Sequence, residues 1–258
     1  MNLNIKDRFF IVCGAGSGFG RAIAEGLLNE GAIVIAVARS NDVLVDFADQ
    51  HPGRLIPVAG DITQDATQNE VLDRCDKTRL GGVLINAGGP PAMSFMESKM
   101  ENWDQAWLQL VRWKVSFVKK IVPLLQQQQY GRVVFIESVS VKQPVENLVL
   151  SNSLRMAVVG FVKTLSRELA LQNITINILA PGYHNTAAVK RVFQKKAANE
   201  GITYEEAKSR FEKHIPVGSM GEAAELAELA LWLLSPGSRY VTGQTISHDG
   251  GVVQGVFG

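Results

Sequence analysis

Cysteine is scarce in this sequence, since the 258 residues include only Cys13 and Cys75. Two cysteines cannot build the disulfide framework of a small secreted protein, so we expect a reducing, cytoplasmic location. The opening segment, MNLNIKDRFF, lacks the apolar core and cleavage site of a secretory signal. No apolar run approaches the roughly 20 residues that a membrane helix needs. We therefore expect a soluble protein without a membrane span.

The chain also lacks an excess of charge of either sign. Its 26 lysines and arginines are balanced by 25 acidic residues, which gives a net charge of +1. A chain this close to neutrality has no electrostatic basis for binding nucleic acid or an acidic membrane surface. No pair of histidines has metal-ligand spacing, and no hydrolase triad stands out. We therefore predict neither a metal site nor a hydrolase.

Hydrophobic residues make up 46% of the chain and charged residues 20%, which is typical of a folded globular protein. The length suits one α/β domain over residues 1–258. Strand-like and helix-like segments alternate, which predicts a doubly wound parallel sheet of about seven strands with helices on both faces. The polar, basic segment 186–216 is predicted to be either a helical lid over a site or an ordinary pair of surface helices.

The segment of residues 9–20, FFIVCGAGSGFG, is the most informative part of the sequence. Its apolar run suits a buried parallel strand, and the four glycines that follow lead into a helical segment. Glycines let the backbone approach a phosphate without an intervening Cβ, and a helix N-terminus offers free N–H groups and a positive dipole. Strand, glycine turn and helix predict a pyrophosphate-binding site; the alternative is merely a tight turn.

Five landmarks in order resemble the short-chain dehydrogenase/reductase family over nearly the whole chain. The turn of residues 13–20, CGAGSGFG, is similar to the family's Thr-Gly-x-x-x-Gly-x-Gly, with cysteine in place of threonine. The other landmarks are Asp61-Ile62, Asn86-Ala87-Gly88, Pro181-Gly182 with Thr186, and the C-terminal TGQ and DGG segments at 242–244 and 249–251. The resemblance implies a Rossmann fold, a nicotinamide cofactor, 3-oxoacyl thioesters or other small ketones as substrates, and a tetramer or dimer.

The same resemblance assigns the residues expected to hold the cofactor. They are Gly14, Gly16, Ser17, Gly18, Phe19, Gly20, Arg39, Asp61, Ile62, Asn86, Ala87, Gly88, Pro181, Gly182 and Thr186.

The end of the second predicted strand bears on the choice between the two nicotinamide cofactors. In this fold an acidic residue there binds the ribose 2′-OH of NAD, whereas an arginine accommodates the 2′-phosphate of NADP. The strand ends in Ala38-Arg39-Ser40, without an acid. Because Arg39 can pair with the phosphate, NADP(H) is favoured over NAD(H). Arg39 can instead be an idle surface charge, and Ser17 occupies the family's second basic position.

The catalytic positions depart from the family's pattern. By resemblance, Ser138 keeps the serine that binds the substrate oxygen, but Ser151 stands at the position of the catalytic tyrosine and Arg155 at that of the lysine. Leu110 occupies the position of an asparagine. A serine hydroxyl is a much weaker acid than a tyrosine, and an arginine is a poor proton donor. Ser151 and Arg155 lie one helical turn apart and can cooperate; alternatively, Ser151 is only a helix N-cap.

Together these features predict an NADP(H)-dependent oxidoreductase that transfers hydride to a carbonyl or from the corresponding alcohol. The candidate catalytic residues are Ser138, Ser151 and Arg155, and the other side chains that could supply a proton are Glu137, Lys142, Tyr183 and His184. The alternative function is a nucleotide-binding protein of the same fold that has lost redox chemistry and acts as a sensor or partner subunit.

Overall fold

Seven parallel strands form one sheet in the computed structural model, which describes residues 2–256. Residues 1, 257 and 258, which the predicted domain includes, lie outside the described residues. Within residues 187–200, the described side chains are those of Val189, Lys190, Phe193, Gln194, Ala197, Ala198 and Glu200. The strands are β1 (Phe9–Cys13), β2 (Ile33–Ala38), β3 (Leu55–Ala59), β4 (Leu80–Ile85), β5 (Gly131–Ile136), β6 (Ile174–Pro181) and β7 (Thr245–His248).

Helices cover both faces of this sheet, which confirms the predicted architecture. They are α1 (Gly18–Asn29), α2 (Asn41–Gln50), α3 (Asp65–Asp73), α4 (Met100–Trp107), α5 (Trp113–Gln128), α6 (Val149–Leu169), α7 (Ala187–Glu200), α8 (Tyr204–Glu212) and α9 (Ala223–Leu234). One buried apolar layer joins the sheet to α5 and α6, and a second joins it to α1, α2 and α9. Among the described residues, no helix is long and apolar enough to cross a membrane.

The strands follow the order β3-β2-β1-β4-β5-β6-β7 across the sheet. The chain winds outward from β1 to β3 and then returns to place β4 beside β1 on the other side. In open sheets of this kind, ligands bind beyond the carboxyl ends of the strands at the point where the winding reverses. The glycine turn after β1 and the segment after β4 meet at this point.

Three helical segments of the structure can be compared with the helices that the sequence predicts. The polar helix predicted over 64–78 ends at Asp73, because the Asp76 carboxylate accepts hydrogen bonds from the backbone and hydroxyl of Thr78 and forms a turn. For residues 101–129 the sequence predicts one long helix or two adjoining ones, with a possible kink at Pro123. The structure has two helices, α4 and α5, joined by a π-helical turn at Leu108–Arg112. The helix predicted over 151–172 begins earlier, at Val149.

Candidate active site

The glycine turn after β1 leaves no room for side chains at two of its positions. A Cβ on Gly20 would lie 2.2 Å from the carbonyl oxygen of Gly14, and a Cβ on Gly14 would lie 2.7 Å from Nδ2 of Asn86. Gly14 and Gly18 also have positive φ angles of 72° and 56°, which other residues rarely adopt. The turn is therefore a backbone-lined surface that a phosphate group can approach closely.

The N-terminus of α1 completes this surface. Ser17 is the N-cap residue, and its hydroxyl makes no capping hydrogen bond to the helix. The first backbone hydrogen bond of the turn runs from the N–H of Arg21 to the Ser17 carbonyl, so the N–H groups of Gly18, Phe19 and Gly20 precede the helical ladder. No acidic residue lies in the first turn. Free N–H groups and the positive end of the helix dipole favour a bound anion here.

Arg39 follows β2 directly and lies exposed beside the glycine turn. The two segments are in contact, because a Cβ on Gly16 would lie 3.1 Å from the Cβ of Ala38. Among the described residues, no carboxylate forms an ion pair with Arg39. Its guanidinium is therefore available to an anion bound at the turn.

The segment after β4 is fastened to the end of β1. Nδ2 of Asn86 donates to the carbonyl oxygen of Cys13 over 3.3 Å. The Cys13 thiol is completely buried, and this burial raises its pKa to about 12, against the lowering effect of a hydrogen bond from the Asn86 backbone. Cys13, which replaces the family's threonine, is therefore a protonated packing residue.

Two further landmarks have well-defined surroundings. Asp61 is exposed and accepts a hydrogen bond from the Thr63 backbone over 2.9 Å, whereas Ile62 is buried. The Gly182 N–H donates to the His248 carbonyl over 3.0 Å, which ties the Pro181-Gly182 segment to β7. Thr186 is the N-cap of α7. The predicted cofactor residues thus follow the strands at one edge of the sheet.

The three predicted catalytic residues lie in one hydrogen-bonded cluster after β5. The Ser138 hydroxyl accepts from the N–H of Ser140 over 3.2 Å. The Ser140 hydroxyl lies 3.4 Å from that of Ser151. Nε of Arg155 donates to the Ser151 hydroxyl over 3.0 Å. Ser151 lies inside the first turn of α6, whose N-cap is Leu148, so the alternative interpretation of Ser151 as the N-cap is wrong.

A buried ion cluster extends from Arg155 into the core. Nη1 of Arg155 donates to one carboxylate oxygen of Glu137 over 2.7 Å, and Nζ of Lys114 donates to the other. The side chains of Arg155, Glu137 and Lys114 are 9%, 0% and 3% exposed, respectively. We call these three residues the ionic trio. Burial lowers the pKa of Lys114, an effect that Arg155 reinforces and Glu137 opposes.

Sequence reasoning missed Lys114, although a signal was present. Lys114 occupies a position between Leu110 and Phe117 on the buried side of its helix, where the neighbouring residues are apolar. A lysine at an apolar position of a helix indicates a buried partner. The partner could not be identified from the sequence, because Glu137 and Lys114 are separated by 23 positions.

The structure also places the other side chains that were considered as proton donors. Both carboxylate oxygens of Glu137 are engaged by cations. Nε2 of His184 lies 2.9 Å from Nδ1 of His248, so the buried His184 ring is directed at a second imidazole. The Tyr183 ring packs edge-on against Phe211. Glu137 is joined to the cluster of serines through Arg155, whereas the contacts of His184 and Tyr183 do not reach that cluster.

A cavity of about 300 Å³ begins at Val139, the residue after Ser138. Apolar side chains of Val145, Val252 and Val253 line it together with Tyr183. Gln143 and Glu146 also line it, so the cavity offers both polar and apolar contacts one residue away from Ser138. Among the described residues, no group of three histidine, cysteine or carboxylate side chains is arranged to hold a metal ion.

A parallel sheet wound in two directions, with a glycine turn at its point of reversal, defines a nucleotide-binding α/β protein. The family model for enoyl-(acyl carrier protein) reductase matches residues 14–253. The chain belongs to the short-chain dehydrogenase/reductase family, as the landmarks predicted.

Full-length relatives share this similarity. The chain is 30% identical to the 3-oxoacyl-[acyl-carrier-protein] reductase FabG of Thermotoga maritima, over 97% of this chain and 100% of that one. It is 28% identical to the NADPH-dependent reductase BacG of Bacillus subtilis, over 98% and 100%. The L-sorbose reductase of Gluconobacter frateurii, solved with NADPH and L-sorbose, superimposes with a TM-score of 0.93 at 25% identity, over 99% and 100%.

Proposed function

We propose that this protein is an NADP(H)-dependent oxidoreductase that transfers hydride to the carbonyl of a small substrate, or from the corresponding alcohol. The observation that carries this proposal is the common sheet edge, where a backbone cradle for a dinucleotide lies next to the cluster of Ser138, Ser151 and Arg155. Relatives that match the whole chain are NADPH-dependent reductases, which supports both the reaction class and the cofactor.

The cofactor would be held mainly by the glycine turn. Its pyrophosphate would lie against the first N–H groups of α1 beside Gly18, where a Cβ would have no atom within 4 Å, while the close packing of Gly14 and Gly20 fixes the shape of the turn. Arg39 would pair with the 2′-phosphate, Asp61 and Ile62 would contact the adenine, and the segments at 86–88 and 181–186 would border the nicotinamide. The cofactor supplies the hydride, and the protein supplies position and charge.

Ser138 is suited to bind the substrate oxygen. Its oxygen already accepts a hydrogen bond from Ser140, so its own proton is free for an acceptor in the adjacent cavity. Arg155 keeps its charge and would hold a ribose hydroxyl of the cofactor and stabilise negative charge on the substrate oxygen. Ser151, bonded to Arg155, is the hydroxyl that would pass a proton to that oxygen. This arrangement takes the place of the family's tyrosine and lysine.

The cavity beside Ser138 favours a small ketone with an apolar body, or the 3-oxoacyl end of a thioester. Its volume of about 300 Å³ lies at the lower end of typical ligand sites. We propose that α7 and α8 form a lid over this cavity, as predicted for 186–216. The helices share an apolar cluster that includes Phe193, Ala207 and Ile215, and the Tyr183–Phe211 ring contact connects this cluster to the cavity.

Two further predictions concern the protein's surroundings. Exposed apolar side chains on α4 and the preceding segment, including Met96, Met100 and Trp107, support the proposal of a homo-oligomer, either tetramer or dimer. Light scattering would then give a mass two or four times that of the 28.1 kDa chain. The two buried, free cysteines suit the cytoplasmic location that we propose.

The test has two stages, which separate catalysis from binding alone. NADPH and NADH are first titrated against the protein by nucleotide fluorescence, and we expect NADPH to bind more tightly. NADPH deuterated at C4 is then incubated with the protein and a panel of ketones, sugars and 3-oxoacyl thioesters. We expect deuterium at the former carbonyl carbon of a product, detected by mass spectrometry.

The outcomes against the proposal are distinct. Binding of NADPH without label transfer to any substrate would favour the alternative, a nucleotide-binding sensor or partner subunit. Failure of both nucleotides to bind would contradict the oxidoreductase and the sensor alike.

A further inference from the structure

Resting on the proposed function, we propose that Glu137 and Lys114 are positioning residues for Arg155. Glu137 holds the guanidinium in place, and Lys114 offsets the charge of Glu137, so that the ionic trio stays net positive where the substrate oxygen becomes negative.

The trio joins three elements of the fold at one carboxylate. Lys114 comes from α5, Glu137 from the end of β5 and Arg155 from α6, and each oxygen of Glu137 accepts a hydrogen bond from one cation. With both oxygens engaged and no exposed surface, the carboxylate cannot turn. The guanidinium of Arg155 is therefore held from its inner side by a fixed group.

The other edges of the guanidinium face the candidate site. Nε donates to Ser151, and Nη2 lies 3.0 Å from the position that a Cβ on Gly89 would occupy. Gly89 belongs to the segment after β4 that would border the nicotinamide. Arg155 thus spans the distance between the buried carboxylate and the cofactor side, and a loss of its anchor would let it move relative to Ser151.

The net charge of the ionic trio gives a physical reason for the presence of Lys114. Arg155 alone would neutralise Glu137, and a pair of zero net charge offers little to a negative oxygen nearby. A buried lysine is costly unless it is paired, so its presence beside an already paired carboxylate needs a reason. The hydrogen bond from Lys114 to Glu137 favours the charged ammonium against the effect of burial, and a charged Lys114 gives the trio two positive charges and one negative. Charge fixed in a water-poor site acts strongly on a developing oxyanion.

Substitutions that change the charge of the trio in opposite directions test this inference. K114M brings the trio to zero, E137Q removes the anchor and leaves two unbalanced cations, and the double variant K114M/E137Q restores a net charge of +1. We expect each single variant to lower kcat by about tenfold or more. E137Q should also weaken NADPH binding. The double variant should be more active than either single variant.

Lys120 and Asp65 provide the matched control. They form an ion pair between α5 and α3 in which the Asp65 side chain is 70% exposed. We expect K120M, D65N and their combination to leave kcat and the Kd for NADPH within about twofold of the parent. The melting temperature of each protein is measured in parallel, so that activity is expressed per folded molecule.

Two readouts separate a failure of this inference from a failure of the proposed function. If the parent reduces a ketone but the double variant is not more active than both single variants, the charge-balance inference is wrong. If activity merely follows the melting temperature, the trio has a structural role only. If the parent reduces none of the substrates, the Kd for NADPH of the same proteins decides. Weaker NADPH binding by E137Q than by both the parent and D65N supports the anchoring role of Glu137, and unchanged binding by E137Q contradicts it.

Discussion

One half of the candidate site is formed mainly by backbone atoms and the other mainly by side chains. The cofactor half, at the ends of β1, β2 and β4, is formed by backbone that glycines leave exposed. The catalytic half, at the end of β5 and the start of α6, is formed by side chains that bond one another. The backbone half has glycines at the positions that the family resemblance predicts, whereas the side-chain half has Ser151 and Arg155 where that resemblance leads us to expect a tyrosine and a lysine. Backbone geometry allows few substitutions, while a charged network can be rebuilt from different residues.

The largest effect should come from a methyl group in the backbone half. In G20A the new Cβ would lie 2.2 Å from the Gly14 carbonyl oxygen, so the turn must open. Because this opening moves the backbone N–H groups that would bind the phosphate, we expect about a 100-fold loss of NADPH affinity, which corresponds to roughly 3 kcal/mol of binding free energy. A fluorescence titration measures this loss, and circular dichroism reports whether the variant is folded.

Gly160 offers a matched control, because it lies in α6 and a Cβ on it would have no atom within 4 Å. G160A should bind NADPH like the parent and gain up to about 1 kcal/mol in the free energy of unfolding. Unchanged NADPH binding in a folded G20A protein would show that the cradle is not where the pyrophosphate lies.

A smaller effect is expected where the backbone half relies on one side chain. R39D places a carboxylate where the 2′-phosphate of NADP would lie, so repulsion replaces attraction. We expect the Kd for NADPH to rise by about tenfold or more, with the Kd for NADH little changed. Paired titrations with the two nucleotides measure this ratio.

The same charge change at the exposed Arg239 serves as the control for a general electrostatic effect. R239D should leave the ratio of the two dissociation constants unchanged. Equal weakening of NADPH and NADH binding in R39D would mean that Arg39 does not discriminate the phosphate.

The smallest effect lies just outside both halves, at the pair of His184 and His248. Burial lowers the pKa of His184, and the nearby His248 ring adds to this, whereas the Gly182 carbonyl, Glu222 and Glu225 oppose it. Between this lowered pKa and the ordinary value of about 6.5, the unfolded chain binds more protons than the folded one. Stability should therefore fall as the pH decreases below about 6.5.

H184L removes this titration. The loss of unfolding free energy between about pH 7.5 and pH 5.5 should shrink by up to roughly 1 kcal/mol, as measured by urea unfolding at both values. H214Q, which changes an exposed histidine, should retain the parent's pH dependence. An identical pH dependence in H184L and the parent would contradict the assignment to His184.

The sheet could be predicted from the sequence because each strand has a local signal. The runs at 9–13 and 32–38 are apolar and end at a glycine turn or a polar pair, and the observed strands differ from the predicted ones by a few residues at most. The glycine turn was equally predictable, because its geometry depends on residues adjacent in sequence. The roles of the predicted cofactor residues stay predictions until a nucleotide is bound.

The catalytic half could be predicted only in part. Ser138, Ser151 and Arg155 were identified by resemblance to the family's catalytic positions, and the structure brings them into one cluster. Lys114 was missed because its contact with Glu137 joins two elements that are distant in sequence. The start of α6 was misplaced for a different reason: Leu148 is not a residue type that usually caps a helix.

The π-helical turn at Leu108–Arg112 has a consequence for the helix that follows it. One residue more per turn rotates everything downstream by about 100° around the helix axis. Lys114, Phe117 and Ile121 therefore face inward together, in a phase that an uninterrupted helix from Met100 would not give them. Deleting a single residue from the turn would move all three out of the core at once, and Glu137 would keep Arg155 but lose Lys114 without any change to the charged side chains.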